Sequence, residues 1–416
     1  MSAGPDPIHL ALPPDVIRIA ERVEAVGGAA FVVGGAVRDA LLGRPVEDLD
    51  LATDLLPAQV VAAFADHDDR DAGLGVVEVR SGGPPRTVTT LRVERDYGPD
   101  RRPREVSFVT RPEDDAVRRD FSVNAIYVAI PSGAVRDPQR GIADCAARVL
   151  RVIGDPRVRF REDPLRVLRA LRFATTRGLE PDAALLAAVP ATVDGVAGLS
   201  GARIGEEVLG ALAGGRRDRV PAWIADHGLT PAVFPELDTT SLLGAAERLA
   251  GFAGGTADAL ALLLGFGDAE RTRAILDRFA IGGGVRHRVL HLSTLAAGLA
   301  AEDERATLSA LRRGGAEDVQ TVLEAAGLLD GEAARERFAR WVERASAEAM
   351  RLLGGDDVRE RGIPPGPELG RLLETARAAV ARAGVTRRED ALRILTEVVA
   401  ADPAVKARKP ADDTDA

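Results

Sequence analysis

The sequence predicts an α+β fold, a small mixed sheet followed by an all-helical remainder, and three observations carry that expectation. Short alternating or wholly apolar runs bounded by Gly, Pro and Ser occupy residues 30–34, 49–53, 75–80 and 86–92, the pattern of strands. From Pro164 to Val399 the pattern turns to alanine- and leucine-rich helical periodicity with no convincing strand. The chain has 416 residues, 46% of them hydrophobic, enough for two or three cores and too apolar for a disordered or fibrous protein.

The elements follow in order. A helix over 14–26 leads into the strand 30–34, then a short helix over 36–42 closed by Gly43 in the place of a left-handed C-cap. A second strand over 49–53 alternates, and 75–80 with 86–92 form a hairpin around Ser81, Gly82, Gly83, Pro84 and Pro85. Residues 106–109 and 124–130 are expected to complete the sheet. A boundary near 150 separates this head from a helical neck over 151–237 and a helical body and tail over 238–402, with 403–416 a polar, frayed tail. No internal repeat is evident.

Composition narrows the function. The longest apolar stretch, about 259–264, is far short of the roughly 20 residues that span a bilayer, and the N-terminus lacks the layout of a signal peptide. A soluble, cytoplasmic protein with no membrane partner is expected. The single cysteine, Cys145, permits neither an internal disulfide nor a thiolate metal cage. A net charge of -9 argues against a polyanion partner, yet residues 80–172 hold 20 arginines against 13 acidic residues, an arginine-rich segment inside an acidic chain. Only Lys406 and Lys409 are lysines, so arginine number alone decides nothing and placement must.

Two clusters suggest chemistry. Gly34 and Gly35 follow a strand and open a helix that carries Arg38, a context in which backbone N–H groups and a guanidinium can reach phosphate oxygens. Asp48 and Asp50, two apart on an expected strand, would share a face, where two carboxylates repel unless a cation lies between them. Each has a plain structural reading taken alone: a tight turn, and a solvated acidic strand end. Their order together favours metal-assisted phosphoryl or nucleotidyl transfer.

Residues 33–43, Val-Gly-Gly-Ala-Val-Arg-Asp-Ala-Leu-Leu-Gly, followed by Asp48-Leu-Asp50, resemble the head of the polymerase-β-like nucleotidyltransferases, specifically the class II tRNA nucleotidyltransferase and poly(A) polymerase family. Further matches come in family order: Arg118-Arg-Asp-Phe-Ser-Val-Asn-Ala125; Asp137-Pro with Gly141-Ile-Ala-Asp144; residues 159–173 around Glu162-Asp-Pro-Leu-Arg166; and Ser200-Gly-Ala-Arg-Ile-Gly-Glu-Glu207, with Gly228 and Phe234-Pro-Glu236 just beyond. The resemblance covers about residues 30–237. It implies a polymerase-β-like head on a helical neck, body and tail, the body binding tRNA. It also implies Mg²⁺ as cofactor on Asp48 and Asp50, a triphosphate held by Gly34, Gly35, Arg38 and Arg119, and a ribose oriented by Asp120 and Asn124. Arg169 and Arg172 match positions that contact the nucleotide in that family.

Asp163 and Arg166 suggest how a base is chosen without a template. An acceptor and a forked donor one helical turn apart can satisfy the Watson–Crick edges of C and A, which both set an exocyclic amine beside a ring acceptor; G and U do not. The structural alternative is that Asp163 caps a helix beginning at Pro164 and pairs with Arg166. One departure stands out. Relatives usually carry a third carboxylate where this chain has Thr87, whereas Glu78 occurs on the preceding strand. A hairpin symmetric about Gly82 and Gly83 sets 78 opposite 87 on one face, which makes Glu78 a candidate replacement and the third catalytic residue.

The function expected is addition of CCA to the 3′ end of tRNA from CTP and ATP, with no obligate protein partner evident. The alternatives are a poly(A) polymerase, a CC-only or A-only enzyme, or a non-catalytic RNA-binding protein. Residues 73–79 lack the Arg-Arg-Phe and His-Val signature associated with poly(A) polymerases, and residues 93–105 are long enough for the flexible loop linked to A addition. His287 and His291 are expected to be surface or packing residues, Trp223 and Trp341 core anchors, and Cys145 a small buried hydrophobe. No His-Asp doublet occurs, so no fused metal-dependent phosphohydrolase domain is recognisable.

Overall fold

The computed structural model describes residues 7–46, 48–97, 103–266, 268–314, 319–383, 385, 388–402 and 405. The chain divides into two compact units, Met1–Leu199 with Asp226–Val233, and Ser200–Ala225 with Phe234–Ala416.

The first unit opens with α1 (Pro14–Ala25), β1 (Ala30–Val33), α2 (Gly35–Leu41), β2 (Asp50–Thr53) and α3 (Pro57–Ala63). After β3 (His67–Asp68) come β4 (Val76–Val79) and β5 (Arg86–Thr90), then β6 (Arg92–Tyr97) and β7 (Pro103–Phe108). It continues through α4 (Pro112–Ala116), β8 (Tyr127–Ile130), β9 (Val135–Arg136), α5 (Gly141–Ala147) and β10 (Val149–Leu150). The neck region carries α6 (Pro156–Glu162), α7 (Leu165–Thr176) and β11 (Glu180–Pro181).

A seven-stranded sheet in the order β3-β4-β5-β2-β1-β8-β9 forms the frame, antiparallel except where β2 lies parallel to β5. β1 sits near its middle and all four of its residues are buried, which is why Ala-Phe-Val-Val reads as a continuous apolar run. On one face the α1 stripe Val16, Ile19, Ala20 and Val23 is buried and α1 packs against β1, at about 1.5–3 kcal/mol for each large side chain. On the other, Phe31, Val33, Ala52 and Tyr127 join Leu91, Ala116, Ala125 and Ile153 in a cluster beneath the site described below. Gly43 has φ of 70°, the left-handed C-cap expected after α2.

Three expectations need correcting. Residues 106–109 do not complete the sheet, because β7 pairs only with β6 in a separate two-stranded ribbon. The chain leaves the sheet at Leu91, fully buried, whose N–H bonds Thr53 and whose carbonyl accepts from Val109. Residues 124–130 are strand only from Tyr127, since Ser122–Asn124 form a 3-10 turn. A strand does follow Pro164: β11 pairs in parallel with β10, two residues each and too short for any periodicity to announce. Part of the loop expected over 93–105, residues 98–102, lies outside the described residues, as does nearly all of the expected tail.

The second unit is helical, from Gly201–Leu212 through Arg388–Ala401. Its helix Thr256–Leu264 buries Ala259 to Leu264 on all sides, and a further core gathers Leu353, Val358, Leu372, Ala376 and Leu395. In Gly283–Ala300, His287 is exposed and His291 buried. Trp341 is buried and Trp223 only half-buried. Among the described residues no helix is long and apolar enough to cross a membrane.

Candidate active site

The β1–α2 junction is built around Gly34, whose φ of 80° and ψ of −132° suit glycine alone. A Cβ there would stand 3.6 Å from Asp50 Oδ2 and 3.8 Å from Arg119 Nη1. Bare backbone, a carboxylate and a guanidinium therefore converge at one point. β2 begins at Asp50, so Asp48 precedes the strand rather than lying within it. The two carboxylates still feel one another: desolvation pushes Asp50 above the usual carboxylate range, Asp48 adds to the rise, and Arg119 opposes it.

A like-charged pair of hard oxygen donors is the kind of donor set that suits a divalent cation. Among the described residues no group of three or more His, Cys, Asp or Glu is placed to hold a metal ion. Thr87 stands where the family resemblance implies a third carboxylate. The hairpin register is the one expected: Glu78 lies opposite Thr87, and the β2–β5 pairing extended by one step sets Thr87 beside Asp50. Asp50, Thr87 and Glu78 thus form a row on one face, with strands about 4.8 Å apart, so the Cα of Glu78 is about 10 Å from that of Asp50. Its carboxylate lies 3.2 Å from Arg80 Nη2 and is half exposed.

Behind this row a hydrogen-bonded network fixes the Arg118-Arg119-Asp120 turn. Asp115, fully buried, accepts Arg118 Nε at 2.8 Å, Arg119 Nε at 3.0 Å, the Tyr127 hydroxyl at 2.6 Å and the Arg92 backbone N–H at 3.0 Å. Burial alone would raise its carboxyl, but Arg119, Arg118 and Tyr127 hold it below the usual range. Asp120 Oδ2 accepts Arg169 Nε at 2.9 Å and Nη2 at 2.7 Å, while Oδ1 accepts the Asn124 amide at 3.0 Å. Burial opposes ionisation of Asp120, yet Arg169 and Asn124 hold it at about 2. Asn124 Oδ1 in turn accepts Arg38 Nη1 at 2.7 Å, and Arg38, 4% exposed, also bonds Asp39. Three guanidinium groups, Arg38, Arg169 and Arg172, lie 4.8, 5.5 and 5.7 Å from the centroid of the Phe173 ring, a geometry that draws cations to one π-face or its rim.

Asp163 and Arg166 are not placed as one turn of a single helix would place them. Asp163 is the extended residue that ends α6, α7 starts at Leu165, and the Asp163 carboxylate accepts the Leu165 N–H at 3.2 Å. Arg166, 6% exposed, donates to the Arg159 carbonyl at 2.9 Å. Pro164 separates the two helices, and the long Arg166 side chain reaches back to close the last turn of α6. The capping alternative is thus present in part, without the Asp163–Arg166 pair. Arg159 extends the same clamp, donating to the Arg118 and Arg119 carbonyls at 2.7 and 2.9 Å.

The Asp137–Asp144 motif has structural work. Asp137 accepts the Gly141 and Ile142 N–H groups at the start of α5, and Asp144 accepts the Ser122 hydroxyl and pairs with Arg151. Cys145 is buried and its thiol is pushed up to about 12, which makes it unreactive. Asp115, Tyr127, Arg159 and Phe173 were not singled out from sequence. Asp115 had one signal, its position three and four residues before Arg118 and Arg119.

Residues 30–151 match the family model described as the Poly A polymerase head domain. A CCA-adding enzyme of Leuconostoc citreum (strain KM20) is 41% identical over 162 residues, 39% of this chain and 40% of that protein. One of Geobacillus thermodenitrificans (strain NG80-2) is 39% identical over 204 residues, 49% and 50% of the two chains. The matches thus span half or less of these relatives' length. Among solved structures, the Bacillus stearothermophilus CCA-adding enzyme in complex with CTP is 25% identical, covering 93% of this chain and 98% of that one with a TM-score of 0.59. The Thermotoga maritima CCA-adding enzyme complexed with tRNA_CCA shares the fold at 22% identity, over 92% and 94% of the chains with a TM-score of 0.60. Fold and site together define a nucleotidyltransferase head. Over residues 30–151 that head is similar to the Poly A polymerase head domain, and its relatives and structural neighbours are CCA-adding enzymes.

Proposed function

We propose that the protein is a template-independent nucleotidyltransferase that adds CCA to the 3′ end of tRNA from CTP and ATP, releasing pyrophosphate, in the cytoplasm. The observation that carries this reading is the convergence of Gly34, Asp50 and Arg119, where bare backbone meets a carboxylate and a cation. The reading also rests on the likeness to CCA-adding enzymes. In functional terms the chain would divide into a catalytic head over 1–150, a nucleotide-selecting neck over 151–237 and a tRNA-binding body and tail over 238–402.

Asp48 and Asp50 would hold Mg²⁺, which supplies charge neutralisation at the triphosphate and activation of the 3′-hydroxyl. The Gly34 and Gly35 backbone would cradle phosphates, with Arg119 held ready by Asp115 and Arg38 held through Asn124. Asp120 and Asn124 would face the ribose, and Arg169 and Arg172, gathered at Phe173, would meet the nucleotide. Asp163 and Arg166 would read the base edge, Arg166 exchanging its carbonyl partners for the base. The test is incubation with Mg²⁺, a tRNA lacking its 3′ end and each labelled nucleotide singly and together: C should enter alone, A only when CTP is also present, and U and G not at all. Incorporation of all four would remove the proposal.

Two predictions follow from named side chains. Asp163→Ala and Arg166→Ala should let UTP or GTP compete, since each unmatched polar group costs about 1–3 kcal/mol in discrimination. Full selectivity with only a lowered melting temperature would assign both residues to helix capping. Glu78→Ala should reduce kcat about tenfold, roughly 1.4 kcal/mol in the barrier, with little change in KM for CTP. The exchange Glu78→Thr with Thr87→Glu should restore much of it, because both positions lie in one row with Asp50. Parental activity in Glu78→Ala would leave Glu78 as the partner of Arg80 and nothing more.

A further inference from the structure

The helical second unit holds a cavity of about 520 Å³ whose lining includes Arg248, Arg271, Asp238, Thr240, Ser241 and Phe266. Its two guanidinium groups belong to half-buried residues, whereas the buried Arg38 and Arg166 each lie within ion-pair distance of a carboxylate. Among the described residues neither Arg248 nor Arg271 has a carboxylate oxygen within the 4.0 Å of an ion pair. Arg248 spends Nε on the Leu262 carbonyl at 3.0 Å, and Arg271 reaches the Leu264 carbonyl at 3.5 Å through Nη2. Arg271 Nε is buried with no hydrogen-bond partner.

Both arginines are half-buried, and the one buried N–H without a partner, Arg271 Nε, costs free energy that an anion in the cavity would offset. Desolvation lowers the pKa of Arg248, and the neighbouring Glu247 opposes that only in part. The local backbone keeps the guanidinium open. A Cβ at Gly244 would stand 3.4 Å from Arg248 Nη1, and one at Gly265, whose φ of 74° already favours glycine, 3.8 Å from Nη2, so only small residues flank the guanidinium on these two sides. Asp238 is the one carboxylate of the lining, and it is engaged with the Ser241 N–H at 2.6 Å as the N-cap of Thr239–Leu249. Two cations thus face one committed carboxylate, beside a helix N-terminus that also favours negative charge.

We propose that this cavity is a phosphate-binding site that takes a backbone phosphate of the RNA substrate, with Arg248 and Arg271 as its ligands. The identity of that RNA rests on the tRNA reading above; the charge argument does not. The volume exceeds what a bare phosphate fills and admits the neighbouring sugar, against which Phe266 and Leu328 provide apolar wall.

The test uses the full chain and a tRNA lacking its 3′ end, with filter binding across 50–300 mM salt for the parent, Arg248→Met, Arg271→Met and Arg248→Lys. The Met variants should each bind about 5–10-fold more weakly, and the slope of log K against log salt should shrink by about 0.7–0.9 per lost phosphate contact. Arg248→Lys, which keeps the charge, should recover most of the affinity, and KM for CTP should not move. Melting curves on the same preparations identify a misfolded variant, in which case Arg271→Met, which removes only a weak 3.5 Å bond, decides. Unchanged affinity and slope would overturn the proposal. So would a rise in KM for CTP, or competition by CTP or inorganic phosphate in the parent but not in the variants, with tRNA binding intact, since the anion would then be a free phosphate. Incorporation of labelled CTP by the parent is read in parallel, so failure of the tRNA reading shows there and not in the salt slope.

Discussion

Replacing Asp50 by alanine should abolish nucleotide incorporation, by at least about a thousandfold or roughly 4 kcal/mol in the barrier, and Asp48→Ala should do the same. Neither residue is packed into a core: Asp48 precedes β2 and Asp50 is its first residue. Thermal unfolding should therefore stay close to that of the parent, and Asp50→Ala should relieve the like-charge repulsion that Asp48 exerts. Rate and melting temperature measured on the same preparations separate the outcomes. Loss of activity with unfolding would make these aspartates structural, and retained activity in both would remove the cation from the account.

Asp115→Ala should have the largest effect on stability, about 3–5 kcal/mol, because it leaves Arg118 and Arg119 charged without their shared partner and the Tyr127 hydroxyl without its acceptor. Denaturant unfolding gives that figure directly. Asp115→Asn keeps the shape and the acceptor for the Arg92 N–H but loses the charge, so it should cost less stability. It should still raise KM for CTP, since Arg119 would lose the carboxylate that aims it toward Gly34. A stable Asp115→Asn variant with parental KM would show that the Tyr127 hydroxyl and ring and the Asn124 carbonyl suffice to position Arg119.

What the sequence made legible follows from which features are local. β1 reads as a strand because all four residues are buried, and the Glu78–Thr87 register follows from the symmetry of one loop. The glycine pair, Asp50 and Arg119 stand where motif order suggested. The β6–β7 ribbon is not legible as a pair because Arg92-Val-Glu-Arg carries charges instead of an apolar face, and the apolar alternation of 106–109 marks a strand without saying which sheet it joins. The role of Asp115 depends on contacts with residues from 92 to 127, which no local pattern encodes. Asp163 and Arg166 were placed on one helix because spacing alone does not show that Pro164 separates two, nor that an arginine at the start of α7 turns back to the carbonyls of α6.

The most direct test is the length and sequence of the product when the protein, Mg²⁺, CTP and ATP meet a tRNA that ends at its discriminator nucleotide. CTP alone should add two cytidines and ATP alone nothing, and together they should extend the RNA by three nucleotides reading CCA and then stop. Long adenosine tails, arrest after two cytidines, or no extension at all would each contradict the account.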